Sequence, residues 1–222
     1  EQWCVLGDAE KAIYRDAVVS GNLMAIRQVS WQVARLEDSS KAMRLKEICE
    51  SAAEQGRKLI VFSFFRNTLE KVRSLLGDPC LETISGDISP ARRQEIVDEF
   101  NKANPGAVLV SQVQAGGTGL NIQAASVVVF CEPQLTPAIE NQAISRAYRM
   151  GQTRDVIVHR LLADDTIDER MLEILSGKQK EFDSFADESV IGDTQLDAQQ
   201  AEEGSWITKM VKEEQERLLS QQ

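Results

Sequence analysis

Two stretches of the chain carry residue types that could meet a phosphate. The first is Gln114-Ala-Gly-Gly-Thr-Gly-Leu-Asn121, directly after the apolar run Ala107 to Ser111. Gly116, Gly117 and Gly119 let the backbone approach a partner closely, and their N–H groups can form an anion-binding concavity. That suits a nucleotide phosphate or a nucleic-acid backbone; a flexible turn has the same composition. The second stretch is Asn141-Gln-Ala-Ile-Ser-Arg-Ala-Tyr-Arg-Met-Gly-Gln152. On a helix Gln142, Arg146 and Arg149 fall at i, i+4 and i+7 and share one face. Two guanidiniums facing one way suit a triphosphate, because arginine presents a planar fork that stays charged. A solvated arginine face is the ordinary alternative. Gly151 breaks the helix just past Arg149.

The rest of an ATP site is missing. No Gly-x-x-x-x-Gly-Lys-Ser/Thr occurs: Gly177-Lys178 is followed by Gln179. No acidic pair ends an apolar strand; Ala186-Asp-Glu-Ser189 follows Phe182-Asp-Ser-Phe185 instead. The parts that cradle phosphates and hold Mg²⁺ must then come from elsewhere.

The elements that position these stretches alternate. Residues 8–55 read helical, ending in a helix after Ser39 with an apolar stripe at Met43, Leu45, Ile48, Cys49 and Ala52 and a stop at Gly56. Lys58 to Ser63 is a short continuous apolar run, as expected of a strand buried on both faces. Asn67 and Glu70 form a capping-box pattern opening a helix to Leu76, with Gly77 closing it. Leu81 to Ile84 is a weaker strand. Ser89-Pro90 opens a helix through Phe100. Ala107–Ser111, Ser126–Phe130 and Val156–Leu162 are strands. Thr136-Pro137 opens a helix to about Arg149, and Thr166 to Phe185 is a long helix. Repeated β-then-α units argue for a helix-covered parallel sheet, whose ligands bind at the carboxyl ends of the strands. The informative loops therefore follow Ser63, Ser111 and Phe130.

Composition sets outer bounds. The 222 residues suffice for one full α/β domain with an appendage, and 42% of them are hydrophobic. There is no bilayer-length apolar run and no basic-then-apolar leader pattern, so neither a membrane span nor a signal peptide is expected. Cys4, Cys49, Cys80 and Cys131 form no Cys-x-x-Cys pair and read as buried free thiols, and the lone His159 builds no metal site. The formal charge of −10 speaks against a nucleic-acid partner until its distribution is considered. From Glu181 onward eleven acidic side chains oppose Lys209, Lys212 and Arg217, a net of −8, which leaves only −2 on the first 180 residues. Arg92-Arg93, Arg146, Arg149, Arg154 and Arg160 could form a basic face on that body. Trp206-Ile-Thr-Lys-Met-Val-Lys212 resembles a short amphipathic helix able to dock.

In order and spacing these segments resemble the second RecA-like lobe of Swi/Snf-type translocases, within helicase superfamily two, from about Lys41 to Leu175. Leu59-Ile-Val-Phe-Ser-Phe-Phe65 looks like motif IV, Gly86 with Arg92 and Phe100 like the following segment, and Gln114 to Asn121 like motif V. Glu132-Pro-Gln-Leu-Thr-Pro137 with Glu140 resembles a linking segment that usually begins Asp-Pro. Gln142 to Gln152 looks like motif VI, with Tyr148 where the family usually has His.

The resemblance implies an α/β RecA-like parallel sheet with helices on both faces, plus N-terminal helices and a helical or disordered acidic tail. The expected divisions are a helical lead-in at 1–56, the lobe at 57–186 and the tail at 187–222. It implies that ATP and Mg²⁺ are held mainly by a separate first lobe. Arg146 and Arg149 would act as arginine fingers oriented by Gln142, with Gly117, Gly119 and Asn121 near the nucleotide. Ser63, Gly86, Arg92, Gln114 and Gly116 would hold one strand of double-stranded DNA by its phosphates. The partners implied are the first ATPase lobe and duplex DNA; the acidic tail offers a surface to a protein partner or competes with DNA. The setting would be the bacterial cytoplasm, or the nucleus in a eukaryote. An RNA helicase lobe and a non-enzymatic interaction module are the competing readings, and the Asn-Gln-Ala…Arg-x-Gly-Gln form of motif VI argues against the first.

Overall fold

The apolar runs assemble into one parallel sheet. The computed structural model describes residues 1–115, 120, 122–148, 154–186 and 195–220, with side chains omitted at 178–186 and 195–205. Its strands are β1 (Gln2–Cys4), β2 (Lys58–Ser63), β3 (Val108–Gln112), β4 (Ala125–Phe130) and β5 (Ile157–Ala163), in the order β1-β5-β4-β2-β3. All four pairings are parallel, so every carboxyl end lies on one edge of the sheet. β2 lies inside the sheet, bonded to β3 and β4, and Leu59 through Ser63 are all buried.

Alternation along β2 divides the core. Ile60 and Phe62 face one layer with Phe100 and Ile96 of α5 (Pro90–Lys102) and Ala143 of α6 (Pro137–Ala147). Leu59 and Val61 face the other, with Leu45 and Cys49 of α3 (Ser40–Glu54) and Leu69 and Val72 of α4 (Arg66–Leu76). Helices thus cover both faces, as the period-2 pattern of a doubly buried strand requires. The caps follow local chemistry. Ser39 accepts from Ala42 N and Ser89 from Arg92 N, while Gly56 and Gly77 take φ of 65° and 66° just past α3 and α4.

A third apolar cluster lies beyond the sheet, among α1 (Asp8–Val19), α2 (Leu23–Ile26), α7 (Ile167–Ala186) and α8 (Gln195–Leu219). Of the two states open for the tail, residues 195–219 are helical, and Met210 and Val211 are buried against this cluster. Tyr14 donates its hydroxyl proton to Glu214 at 2.5 Å, and Arg170 pairs with Glu213 at 2.5 Å. At the junction of α3 and α7, Lys41 and Asp168 form a buried ion pair at 2.6 Å.

Four local expectations are corrected. β1 was not foreseen; three residues hold no alternation from which to read a strand. Leu81–Ile84 is no full strand, since only isolated bridges join Cys80 to Val108 and Ile84 to Ser111. α4 starts at Arg66 behind Phe65, not at an Asn67 cap. α6 ends at Ala147, with Tyr148 extended at φ −99° and ψ 109°. Among the described residues no helix is long and apolar enough to cross a membrane, and no group of three or more His, Cys, Asp or Glu could hold a metal ion. The four cysteines are free.

Candidate functional site at the carboxyl edge of the sheet

The loops that leave β2, β3 and β4 are knitted together by side chains rather than left open. After β2, Ser63 is fully buried; its hydroxyl donates to Glu132 Oε2 at 2.9 Å and accepts from Phe65 N at 3.0 Å. Phe64 N donates to Glu132 Oε1 at 2.6 Å, and Gln134 Nε2 donates to the Glu132 carbonyl at 2.9 Å. Arg27, from the turn after α2, places its guanidinium 5.6 Å and 5.1 Å from the Phe64 and Phe65 ring centres and donates to Pro133 O at 2.8 Å. Burial pushes the Glu132 carboxyl above its ordinary range; the Arg27 charge and the Phe64, Ser63 and Gln134 hydrogen bonds oppose that. Ser63 therefore does not present its hydroxyl to a DNA phosphate, as the resemblance implied. It braces the loop whose backbone follows it.

Between β3 and the Gly86 turn the link is Gln112, which accepts from Gly86 N at 3.2 Å and donates to Phe64 O at 3.1 Å. Arg93 spans the same gap from α5, donating to Gly86 O at 3.0 Å and Ala115 O at 2.8 Å. Its neighbour Arg92 points elsewhere, into Glu82, Glu95 and Glu99 at 2.6, 2.9 and 3.2 Å. Those carboxylates raise its pKa and leave less of its charge for a phosphate. By residue type Arg92 and Arg93 are equal candidates for a basic face, and only the geometry assigns Arg93 to the loops. Gly86 and Gln114 are exposed on this edge. Gly116, Gly117, Gly119, Asn121 and Arg149 lie outside the described residues.

α6 supplies the cationic part. Pro137 opens it at the first turn, and Glu140, buried, takes Arg160 Nε on Oε2 at 2.5 Å and Gln134 N on Oε1 at 3.4 Å. Gln142 is exposed, while Arg146, one turn on, is only 8% exposed. Among the described residues Arg146 Nη1 is buried with no hydrogen-bond partner. Burial lowers its pKa. α6 ends at Ala147, so the described helix carries Gln142 and Arg146, two of the three residues expected to share its face. Tyr148 stands 66% exposed beside it. A cavity of about 380 Å³ lined by Arg44, Ile48, Arg57, Val127, Ile157 and His159 lies at the opposite, amino-terminal edge of the strands and takes no part in this arrangement.

A buried guanidinium with an orphan donor is chemically suited to an anion. The described residues form a five-stranded parallel α/β lobe that carries such an arginine near the end of α6. The helicase conserved C-terminal domain family matches residues 40–151, and the chain belongs to it, as a Snf2-type C-terminal lobe. An uncharacterized ATP-dependent helicase of Mycoplasma pneumoniae is 36% identical over 147 residues, which are 65% of this chain and 14% of that protein. The Sulfolobus solfataricus SWI2/SNF2 ATPase core domain matches with a TM-score of 0.69 and 26% identity, over 93% of this chain and 45% of that one. The C-terminal part of the Fun30 ATPase domain matches with a TM-score of 0.75 and 17% identity, over 97% of this chain and 96% of that one, a likeness of fold. The chain spans about one seventh of the length of the first curated relatives it matches.

Proposed function

We propose that the chain is the second motor lobe of an ATP-dependent double-stranded DNA translocase, inactive as an ATPase alone. The observation that carries this reading is Arg146. A guanidinium buried without a counter-charge costs stability, and the cost has a use if a phosphate arrives opposite it. ATP held between two lobes would supply a phosphoryl group on which negative charge builds during transfer. Arg146 would stabilise that charge, with Arg149 as its companion and Gln142 orienting the pair. Gly117, Gly119 and Asn121 would lie beside the nucleotide. The first lobe would contribute the phosphate loop, the Mg²⁺ ligands and the carboxylate that activates water.

At the carboxyl edge of the sheet the exposed Gly86 and Gln114, with Gly116, would grip one DNA strand through its phosphates and read no sequence. Closing and reopening the cleft would shift that grip along the duplex. The SWI2/SNF2 ATPase core of Sulfolobus solfataricus is itself known in complex with double-stranded DNA.

The test is steady-state ATP hydrolysis by this chain alone, then with its first lobe, each with no nucleic acid, duplex DNA or RNA. Silence alone and duplex-stimulated turnover with the partner are expected. Stronger stimulation by RNA would make it a lobe of an RNA helicase, and robust turnover by the chain alone would end the half-site reading.

A further inference from the structure

Glu132 has no place in the chemistry just described, yet its carboxyl is the most densely bonded group on the carboxyl edge. It is fully buried, and it accepts from Phe64 N, the Ser63 hydroxyl and Gln134 Nε2. Ser63 and Phe64 lead into the loop after β2, and Gln134 leads toward α6. Phe64 O accepts from Gln112, which also accepts from Gly86 N, so one branch reaches the exposed turn on the DNA side. Gln134 N donates to Glu140 on α6, less than two turns before Arg146, so the other branch reaches the nucleotide side. The arrangement runs unbroken from Gly86 through Gln112, Phe64, Glu132 and Gln134 to Glu140. Arg27 clamps its middle, with its guanidinium over both phenylalanines and a hydrogen bond to Pro133 O.

We infer that Glu132 is a positioning residue that couples the two sides of the lobe, holding the backbone at Phe64 and, through Gln134, the helix that carries Arg146. The inference rests on the translocase reading above. Its physical basis is that a buried polar network is stable only with every member satisfied. A shift of α6 on meeting phosphate cannot leave Phe64 N or Glu132 unpaired in the dry interior, so the Phe64 and Gly86 turns move with it. Apolar packing at the same place would let the two loops slide independently. The chain's Glu, where the family usually has Asp, reaches one methylene further toward the loop after β2.

The test uses the complete two-lobe enzyme and duplex DNA. The dissociation constant for DNA is measured with a non-hydrolysable ATP analogue and again with ADP, and the ratio of the two is the coupling. Allosteric couplings are about 5- to 150-fold, and the wild type is expected in that range. Glu132→Ala should bring the ratio to within about twofold of unity. Glu132→Gln keeps an oxygen for Phe64 N and an amide for Ser63 and should preserve the ratio. If Glu132→Ala fails to fold, Gln134→Ala cuts the same path one link later and decides the matter. A purely structural role weakens DNA binding equally in both nucleotide states and leaves the ratio intact; that result overturns the inference, as does a loss in Glu132→Gln equal to the loss in Glu132→Ala. A wild-type enzyme with no DNA-dependent turnover at all overturns the translocase reading itself.

Discussion

Arg146→Met should move activity and stability in opposite directions. Methionine matches the length of the arginine stem and removes only the charged end. In the lobe that end is a liability: the residue is 8% exposed and Nη1 has no partner. An unsatisfied buried polar group costs about 1–3 kcal/mol. Taking the lower figure, its removal raises the Tm of the isolated lobe by about 2–4 °C, the usual response of a chain this size to 1 kcal/mol. In the complete enzyme, on the reading proposed above, the same change removes an arginine finger, and such fingers are worth about 10³- to 10⁵-fold, or roughly 4–7 kcal/mol of barrier. Steady-state turnover at saturating duplex DNA should fall at least about a hundredfold while ATP binding, read by a fluorescent analogue, survives. Turnover within about threefold of wild type refutes the finger. A Tm several degrees lower refutes the premise, since the guanidinium would then have a stabilising partner in the lobe.

Three further outcomes are expected. Arg93→Gln frees the Gly86 and Ala115 carbonyls and should weaken duplex binding about tenfold by anisotropy at one fixed salt, whereas Arg92→Gln, already neutralised by three carboxylates, should change it less than about threefold. Lys41→Met leaves Asp168 buried without its partner and should cost about 3–5 kcal/mol in denaturant unfolding; adding Asp168→Leu should recover most of it. Burial, helped by Arg44, lowers the pKa of His159, so the unfolded chain takes the proton first. Stability present above about pH 6.5 is then lost as the pH falls toward the folded value, and His159→Gln should flatten that limb of the pH–stability curve.

The sheet was legible because β2, β3 and β4 are continuous apolar runs, and a strand buried on both faces has no other way to look. The caps at Ser39, Ser89 and Pro137 were legible for the same reason, since each is decided within four residues. What escaped was decided at a distance. β1 exists because β5 offers it an edge, and nothing within Gln2–Cys4 announces that. The helix expected to run to about Arg149 ends at Ala147, and no breaker residue announces that end. Ser63 fits a phosphate contact by type; only the position of Glu132, in the loop after β4, removes its hydroxyl from the surface. Arg92 and Arg93 are indistinguishable by type, and a difference of one residue on α5 turns one toward three glutamates and the other toward the loops. Trp206 to Lys212 read as an amphipathic helix able to dock, but nothing local named its seat: Met210 and Val211 pack on residues from the other end of the chain.

The pairing of β1 with β5 sets Gln2 beside Leu161, a closure across most of the sequence, whereas β2, β3 and β4 lie within residues 58–130. Loop-closure entropy rises with span, and contacts distant in sequence form late. These three strands are therefore the natural nucleus, and β1 with its flanking helices joins afterwards. In hydrogen exchange the amides of β2 should be the last to trade and those of β1 among the first, so that the border of the sheet breathes while the floor beneath Arg146 stays shut.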